Sequence, residues 1–376
     1  MATDPAAIRL PDDLRPADGR FGSGPSKVRP EAVARLSESA RDYLGTSHRR
    51  EGVKSIVRRA RTGLRELFVL PDGYEVLLGN GGTTTFWDAA TFGLIERRSE
   101  HLAFGEFSAK FAAATTAAPH LDKPLVIESP PGTHPEPVPD PTIDAYALTH
   151  NETSTGVVMD PRRPDGADGL VLVDATSAAG ALRVDPTDFD VYYFAPQKTF
   201  ASEGGLWLAL CAPAAIERIE RIGASDRWQP PSLSLPIALE NSRLDQTYNT
   251  PALTTIFLLA DTVDWLLAQG GLEWAASRCD QSAEIVYGWA EASAFATPFV
   301  AKPSERSPVT ATIDFDDGVA VDDLGAALRA NGIVDTESYR KLGRNQLRIA
   351  MFPAIEPDDL AVLTRAIDHI VEQLHE

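Results

Sequence analysis

Tyr192-Tyr-Phe-Ala-Pro-Gln-Lys198-Thr-Phe-Ala-Ser-Glu-Gly-Gly205 (YYFAPQKTFASEGG) sets a single lysine between an aromatic, strand-like run and a turn of small residues. A flexible cation at the buried end of a strand is either a salt-bridged structural residue or an amine that does chemistry. The run leading into it, VYYFAP (191–196), is one of a series of short apolar stretches. The others are YEVLLG (74–79), HLAFG (101–105), AYALTH (145–150), GLVLVDA (169–175) and LWLALCA (206–212). Helix-like stretches alternate with them, and two helical patterns, PEAVARLSESARDYL (30–44) and EGVKSIVRRARTGLRELF (51–68), come first. Strands alternating with helices predict an α/β fold with a mostly parallel sheet, and near-continuous apolar strands predict helices on both of its faces.

Outward from this core, residues 1–18 are polar, carry three prolines and read as an arm. The proline-rich stretch 121–142 reads as an irregular loop. A long helical region from Pro251 to Glu291 breaks at Gly270-Gly271, where we place the boundary between a large unit (19–270) and a smaller one (271–376). In the latter, VTATIDF (309–315), DDLGAALRANG (322–332), QLRIAMFP (346–353) and EPDDLAVLTRAIDHIVEQL (356–374) alternate strand, helix, strand, helix, a compact α/β unit.

Bulk properties narrow the chemistry. A net charge of −19 over 376 residues repels nucleic acid and anionic membranes, so an anionic ligand would need a local basic island. Cys211 and Cys279 offer no disulfide framework, and the seven histidines lack the spacing of a zinc site, so no metal is expected. The N-terminus has neither the basic nor the apolar region of a signal peptide, and no run of about 18 apolar residues occurs. A cytoplasmic protein is expected.

Four features gather around Lys198. GNGGTTTFWDAA (79–90) ends a strand in a glycine cluster and opens a helix with hydroxyl residues. Exposed backbone N–H groups and the helix dipole favour phosphate there, although an ordinary strand-to-helix turn reads the same way. It is neither a Walker A loop nor a G-x-G-x-x-G fingerprint. In VLVDATSAAG (171–180), Asp174 stands at the carboxyl end of a buried strand, where its charge needs a partner. A protonated pyridine nitrogen would serve; so would a helix cap or a structural salt bridge. Lys198 follows Asp174 with one strand between, so both fall at the sheet edge where α/β proteins bind ligands. An amine in such a cleft, near another cation, has a lowered pKa and can form a Schiff base. Phe107, in AFGEFSAKF (103–111), can stack on a flat ring or belong to the core.

Together with FGSGPSKV (21–28), GTSHR (45–49), HNETSTGV (150–157), TYNTPA (247–252) and NGIVDTESYRKLGRNQLRIAMFPA (331–354), these motifs resemble the phosphoserine aminotransferase family of fold type I pyridoxal-phosphate enzymes, in its actinobacterial branch. The resemblance runs over nearly the whole chain. It implies pyridoxal 5'-phosphate as cofactor, Lys198 as the Schiff-base lysine and Asp174 on the pyridine nitrogen. Gln197 and the backbone at Thr83 and Thr84 would hold the phosphate, Thr153 the phenolic oxygen, and Phe107 would stack on the ring. Asn249 and Thr250 would reach the phosphate of a neighbouring subunit, making the enzyme a homodimer with shared active sites. His48, Arg49, Arg340 and Arg348 would bind anionic substrate groups.

Two positions depart from the family pattern: some members carry tryptophan at Phe107, and some carry arginine at Thr84. Arg340, Lys341, Arg344 and Arg348 have no acidic residue between 338 and 355, which reads as an anion-binding island or as a solvated basic loop. The implied reaction is transamination between glutamate and 3-phosphohydroxypyruvate, in serine biosynthesis. The resemblance also admits a phosphorylated threonine derivative used in pyridoxine synthesis. A related aminotransferase acting on another small oxo acid and a non-catalytic binding protein are the competing readings. The intact Asp174 and Lys198 pair argues against the second.

Overall fold

The computed structural model describes residues 4–375. In chain order they form α1 (Pro30–Tyr43), α2 (Glu51–Leu67), β1 (Glu75–Asn80), α3 (Thr83–Gly93), β2 (Ser99–Ala103), α4 (Glu106–Ala117), β3 (Leu125–Glu128) and β4 (Ala145–Thr149). Next come β5 (Asn151–Glu152), β6 (Val157–Val158), β7 (Leu170–Asp174), β8 (Val191–Phe194), β9 (Leu206–Cys211), α5 (Pro213–Gly223), α6 (Leu235–Arg243) and α7 (Leu253–Gln269). The chain ends with α8 (Gly271–Ala292), β10 (Ala296–Pro298), β11 (Thr310–Phe315), α9 (Val321–Ala330), β12 (Gln346–Ala350) and α10 (Pro357–His375).

Seven strands make the central sheet, in the order β1-β9-β8-β7-β4-β2-β3. The five from β8 to β3 are parallel, and β9 runs antiparallel to both of its neighbours. The fold is thus α/β with a mostly parallel sheet. Alternate side chains feed two cores. Val171, Val173, Tyr192 and Phe194 pack with Leu64 of α2 and Leu259 of α7, while Leu170, Leu172, Val191 and Tyr193 pack with Phe86 of α3 and Ile219 of α5. A sheet covered on both faces has no polar side, which is why its strands read as continuous apolar runs.

Three features differ from the sequence reading. The stretch 121–142 contains β3, an edge strand parallel to β2. Its four residues sit among prolines, which an edge tolerates because half its hydrogen-bonding groups need no strand partner. The smaller sheet, β10-β11-β12, is wholly antiparallel, although the expected strand, helix, strand, helix order holds in β11, α9, β12 and α10.

The expected arm is not free, at least over residues 5–18; residues 1–3 lie outside those described. Ile8 and Leu10 are buried in the main core, and Asn331 clamps this segment, its Oδ1 accepting from Leu10 N–H at 2.9 Å and its Nδ2 donating to the Ile8 carbonyl at 3.0 Å. Ala17 N–H donates to Asp359 at 2.7 Å. Ile8, Leu10 and the partly buried Leu14, which packs on the same core, dock this otherwise polar, proline-bearing stretch. The α7–α8 break falls at Gly270, whose φ of 125° lies where a side chain is strained.

Candidate active site

Parallel strands share one carboxyl edge, and the candidate residues collect along it. Asp174 closes β7 and pairs across β8 with Tyr193, four residues before Gln197. Thr149 closes β4 beside Asp174, and the chain continues through Asn151 and Thr153. Strand β1 runs parallel to β8 because both oppose β9, so Gly82 and the start of α3 arrive at the same edge. Thr83, Thr84, Phe107, Thr153, Asp174, Gln197 and Lys198 line one cavity of about 310 Å³.

Its electrostatics set two buried groups against each other's ordinary states. Burial pushes the Asp174 carboxyl up to about 6, although Thr176 N–H (3.0 Å), the Thr176 hydroxyl (2.7 Å) and Trp87 Nε1 (3.2 Å) all donate to it. Burial also lowers the Lys198 amine to about 7, and Arg348 adds to the effect. The amine donates to the Ser23 carbonyl at 2.5 Å and sits 5.8 Å from the centre of the Phe107 ring.

The cavity has unsatisfied polarity. The amide oxygens of Asn151 and Gln197 are buried without a hydrogen-bond partner. Gly82, the N-cap of helix α3, offers no side-chain cap, so the first-turn N–H groups are available to an anion. Thr153 donates to Ser177 Oγ at 2.8 Å, and Asn151 Nδ2 donates to the same oxygen at 2.9 Å. A buried carboxylate with no salt bridge among the described residues, a neutral-leaning amine, an aromatic ring and an anion-ready helix end fit pyridoxal phosphate.

The remaining candidates lie outside this lining. Arg348 is nearest: Nη1 reaches the Thr153 carbonyl at 3.4 Å, while its Nε is buried and unpartnered. His48 is buried and shares a contact of 3.2 Å with the Thr250 hydroxyl; burial, then the charge of Arg49, lowers its pKa. Arg49, Asn249, Thr250 and Arg340 are exposed. The anion-binding island is half neutralised, a correction to the sequence reading. Lys341 pairs with Glu106 at 2.5 Å and Arg344 with Asp314 at 2.5 Å, carboxylates brought in from elsewhere in the chain. Arg340 and Arg348 remain as the candidate anion-binding cations.

Sequence reasoning assigns no role to Trp87, Thr176, Ser177, Asn151 or the Ser23-Gly24 backbone, although all of them lie inside the motifs quoted above. Helical phase provides a signal for Trp87, one turn after Thr83 and on the same side of α3.

Residues 135–337 match the model of the aminotransferase class-V family. A relative from Mycolicibacterium vanbaalenii is 58% identical over 368 residues, covering 98% of this chain and 99% of its own. The phosphoserine aminotransferase of Rhodococcus jostii is 57% identical over 366 residues, 97% of this chain and 98% of its own. Among solved structures, a phosphoserine aminotransferase from Cytophaga hutchinsonii superposes with a TM-score of 0.87 at 24% identity, covering 94% of this chain and 99% of that one. The family match and the curated relatives make the enzyme a pyridoxal-phosphate-dependent transaminase. With relatives this similar over almost its full length, the chain belongs to the class-V aminotransferases, among the phosphoserine aminotransferases.

Proposed function

We propose that this enzyme transfers the amino group of glutamate to 3-phosphohydroxypyruvate, giving 2-oxoglutarate and O-phosphoserine. The observation that carries the substrate class is Arg348, whose buried Nε has no partner beside the Thr153 carbonyl. A guanidinium held with unused donors suits a carboxylate, with two oxygens to receive it. Arg340, exposed nearby in sequence, and the His48–Arg49 pair are read as cations for the second anionic group.

Lys198 would anchor the cofactor, Asp174 would hold its ring nitrogen protonated, and Phe107 and Thr153 would fix the ring. Thr83, Thr84 and Gln197 would take the phosphate. When bound, pyridoxal phosphate supplies the electron sink for the pair left at the substrate α-carbon. Lys198 takes the α-proton as general base, and an amine whose pKa lies near 7 is suited to both accepting and returning it. Asp174, buried and with no salt bridge among the described residues, would gain a cationic partner in the ring nitrogen.

The same reading makes the enzyme a cytoplasmic homodimer. Asn249 and Thr250 are exposed and line no part of their own cavity, which leaves them available to a second copy. Among the described residues no helix is long and apolar enough to cross a membrane. The test is a comparison of oxo acids with glutamate as donor. Turnover of 3-phosphohydroxypyruvate should exceed that of hydroxypyruvate by about 10²-fold or more in kcat/KM, since a lost charge-assisted contact typically costs that much. Equal turnover would overturn the phosphate assignment. The phosphorylated threonine derivative, the link to pyridoxine synthesis, carries the same phosphate and is ranked in the same assay.

A further inference from the structure

One buried carboxylate beside the cavity has no role assigned above, although its charge acts on Lys198, Asp174 and Arg348. Glu152 of β5 is fully buried. Its Oε2 accepts from the backbone N–H of Phe107 at 3.1 Å, that of Ser108 at 2.9 Å and the Ser108 hydroxyl at 3.0 Å. Its Oε1 accepts from Ser154 N–H at 3.1 Å and the Ser154 hydroxyl at 2.7 Å. The Ser154 oxygen in turn accepts from Glu106 N–H at 3.0 Å. The first three N–H groups of α4 are therefore met by Glu152 of β5 and Ser154 just after it. A negative charge at a helix start is favourable, and these charge-assisted bonds offset the cost of burying it.

Local sequence makes room for the contact. The N-cap of α4 is Gly105, and a Cβ at that position would collide with the Glu152 side chain. Glu152 is flanked by Asn151 and Thr153, which line the cavity, and it grips the backbone of Phe107, which lines it too. One carboxylate thus ties together two walls built from different strands.

We propose that Glu152 is a positioning residue of the cofactor site, pinning the start of α4 to the Asn151–Thr153 segment so that the Phe107 ring is held against the bound pyridoxal phosphate. This rests on the reading of Phe107 as the ring's stacking partner.

A double-mutant cycle tests it on the holoenzyme, with Glu152→Gln, Phe107→Leu and their combination. The readouts are the cofactor dissociation constant by equilibrium dialysis and the visible circular dichroism per bound cofactor. Glu152→Gln should weaken cofactor binding about tenfold, the scale of losing charge-assisted hydrogen bonds, and reduce the dichroism. The double variant should bind little worse than the weaker single, because both changes act through one ring. Independent, multiplying effects would overturn the proposal. So would a Glu152→Gln enzyme that melts earlier but keeps wild-type cofactor affinity and dichroism, since that is a structural staple only.

Ser154→Ala, which removes two contacts and keeps the charge, covers the case in which Glu152→Gln fails to fold. It should shift both readouts in the same direction by less, and no shift in either would overturn the proposal. Asp144→Asn is the control. Asp144 accepts from the backbone N–H groups of Glu96, Arg97 and Arg98 away from the cavity, so its loss should lower stability and leave both readouts alone. Wild-type protein that binds no pyridoxal phosphate would instead sink the underlying site reading.

Discussion

The Lys198 amine rests on the Ser23 carbonyl oxygen at 2.5 Å, and the next residue, Gly24, turns its bare α-carbon toward that amine. Gly24 has φ +144°, and a Cβ on it would collide with the end of the lysine side chain. The N-terminal FGSGPSK segment therefore forms part of the lysine's seat, and its small residues are a condition for that approach. Gly24→Ala should displace the amine and cut kcat/KM by about 10²-fold, the effect typical of misplacing a reacting group by an ångström. Steady-state kinetics on the cofactor-saturated variant reads this out; an unchanged kcat/KM would show that the seat is not used.

A lysine lowered from 10.5 to about 7 is largely neutral at physiological pH. Only the neutral amine attacks a carbonyl. Capture of pyridoxal phosphate by the cofactor-free protein should speed up as pH rises to about 7 and level off above it. Arg348→Gln removes the second cause of the shift and should move the midpoint upward. Stopped-flow absorbance across pH 5.5–9.5 would record both; a wild-type rate still climbing at the alkaline end contradicts the burial argument.

In the proposed role, Asp174 costs stability in the cofactor-free protein. Its carboxyl is raised from 3.8 to about 6, so between those values the cofactor-free folded protein holds a proton that the unfolded chain has lost. Stability contributed by this group is intact below about 4, falls as pH rises to about 6, and stays at its lowest above. The cost at neutral pH is about 3 kcal/mol. Asp174→Asn should accordingly stabilise the cofactor-free protein at pH 7.5 by up to about that amount, while lowering kcat about 10³-fold through loss of the charge facing the ring nitrogen. Calorimetry paired with kinetics checks both halves, and a variant that is less stable without cofactor would contradict the first.

Arg348→Lys keeps the charge and loses the planar pair of donors. KM for glutamate should rise about 10- to 100-fold, with a smaller change in kcat. A change confined to kcat would instead make Arg348 a partner of Lys198 alone.

The mostly parallel sheet and the placement of Asp174 and Lys198 at one edge of it were legible in the sequence, for a reason that lies in parallel sheets. Strands buried on both faces are apolar along their length, so a charged residue at the end of one, such as Asp174, stands out, and parallel direction brings such ends to one edge. Lys198 follows β8 by the same logic. What escaped depends on partners far away in the chain. Lys341 and Arg344 look unopposed among their sequence neighbours, yet Glu106 and Asp314 reach them through the fold. Glu152 reads as an unremarkable member of an Asn-Glu-Thr run until α4 is placed against it. Strand β3, four residues among prolines, carries too little pattern to separate from a loop.

The most direct measurement is the visible absorbance spectrum of the purified enzyme and of Lys198→Ala, with each substrate added in turn. The wild type should show a violet-region band that glutamate bleaches and 3-phosphohydroxypyruvate restores, and Lys198→Ala should not complete that cycle. A wild-type band that glutamate leaves untouched, or a Lys198→Ala enzyme that cycles like the wild type, would contradict the assignment.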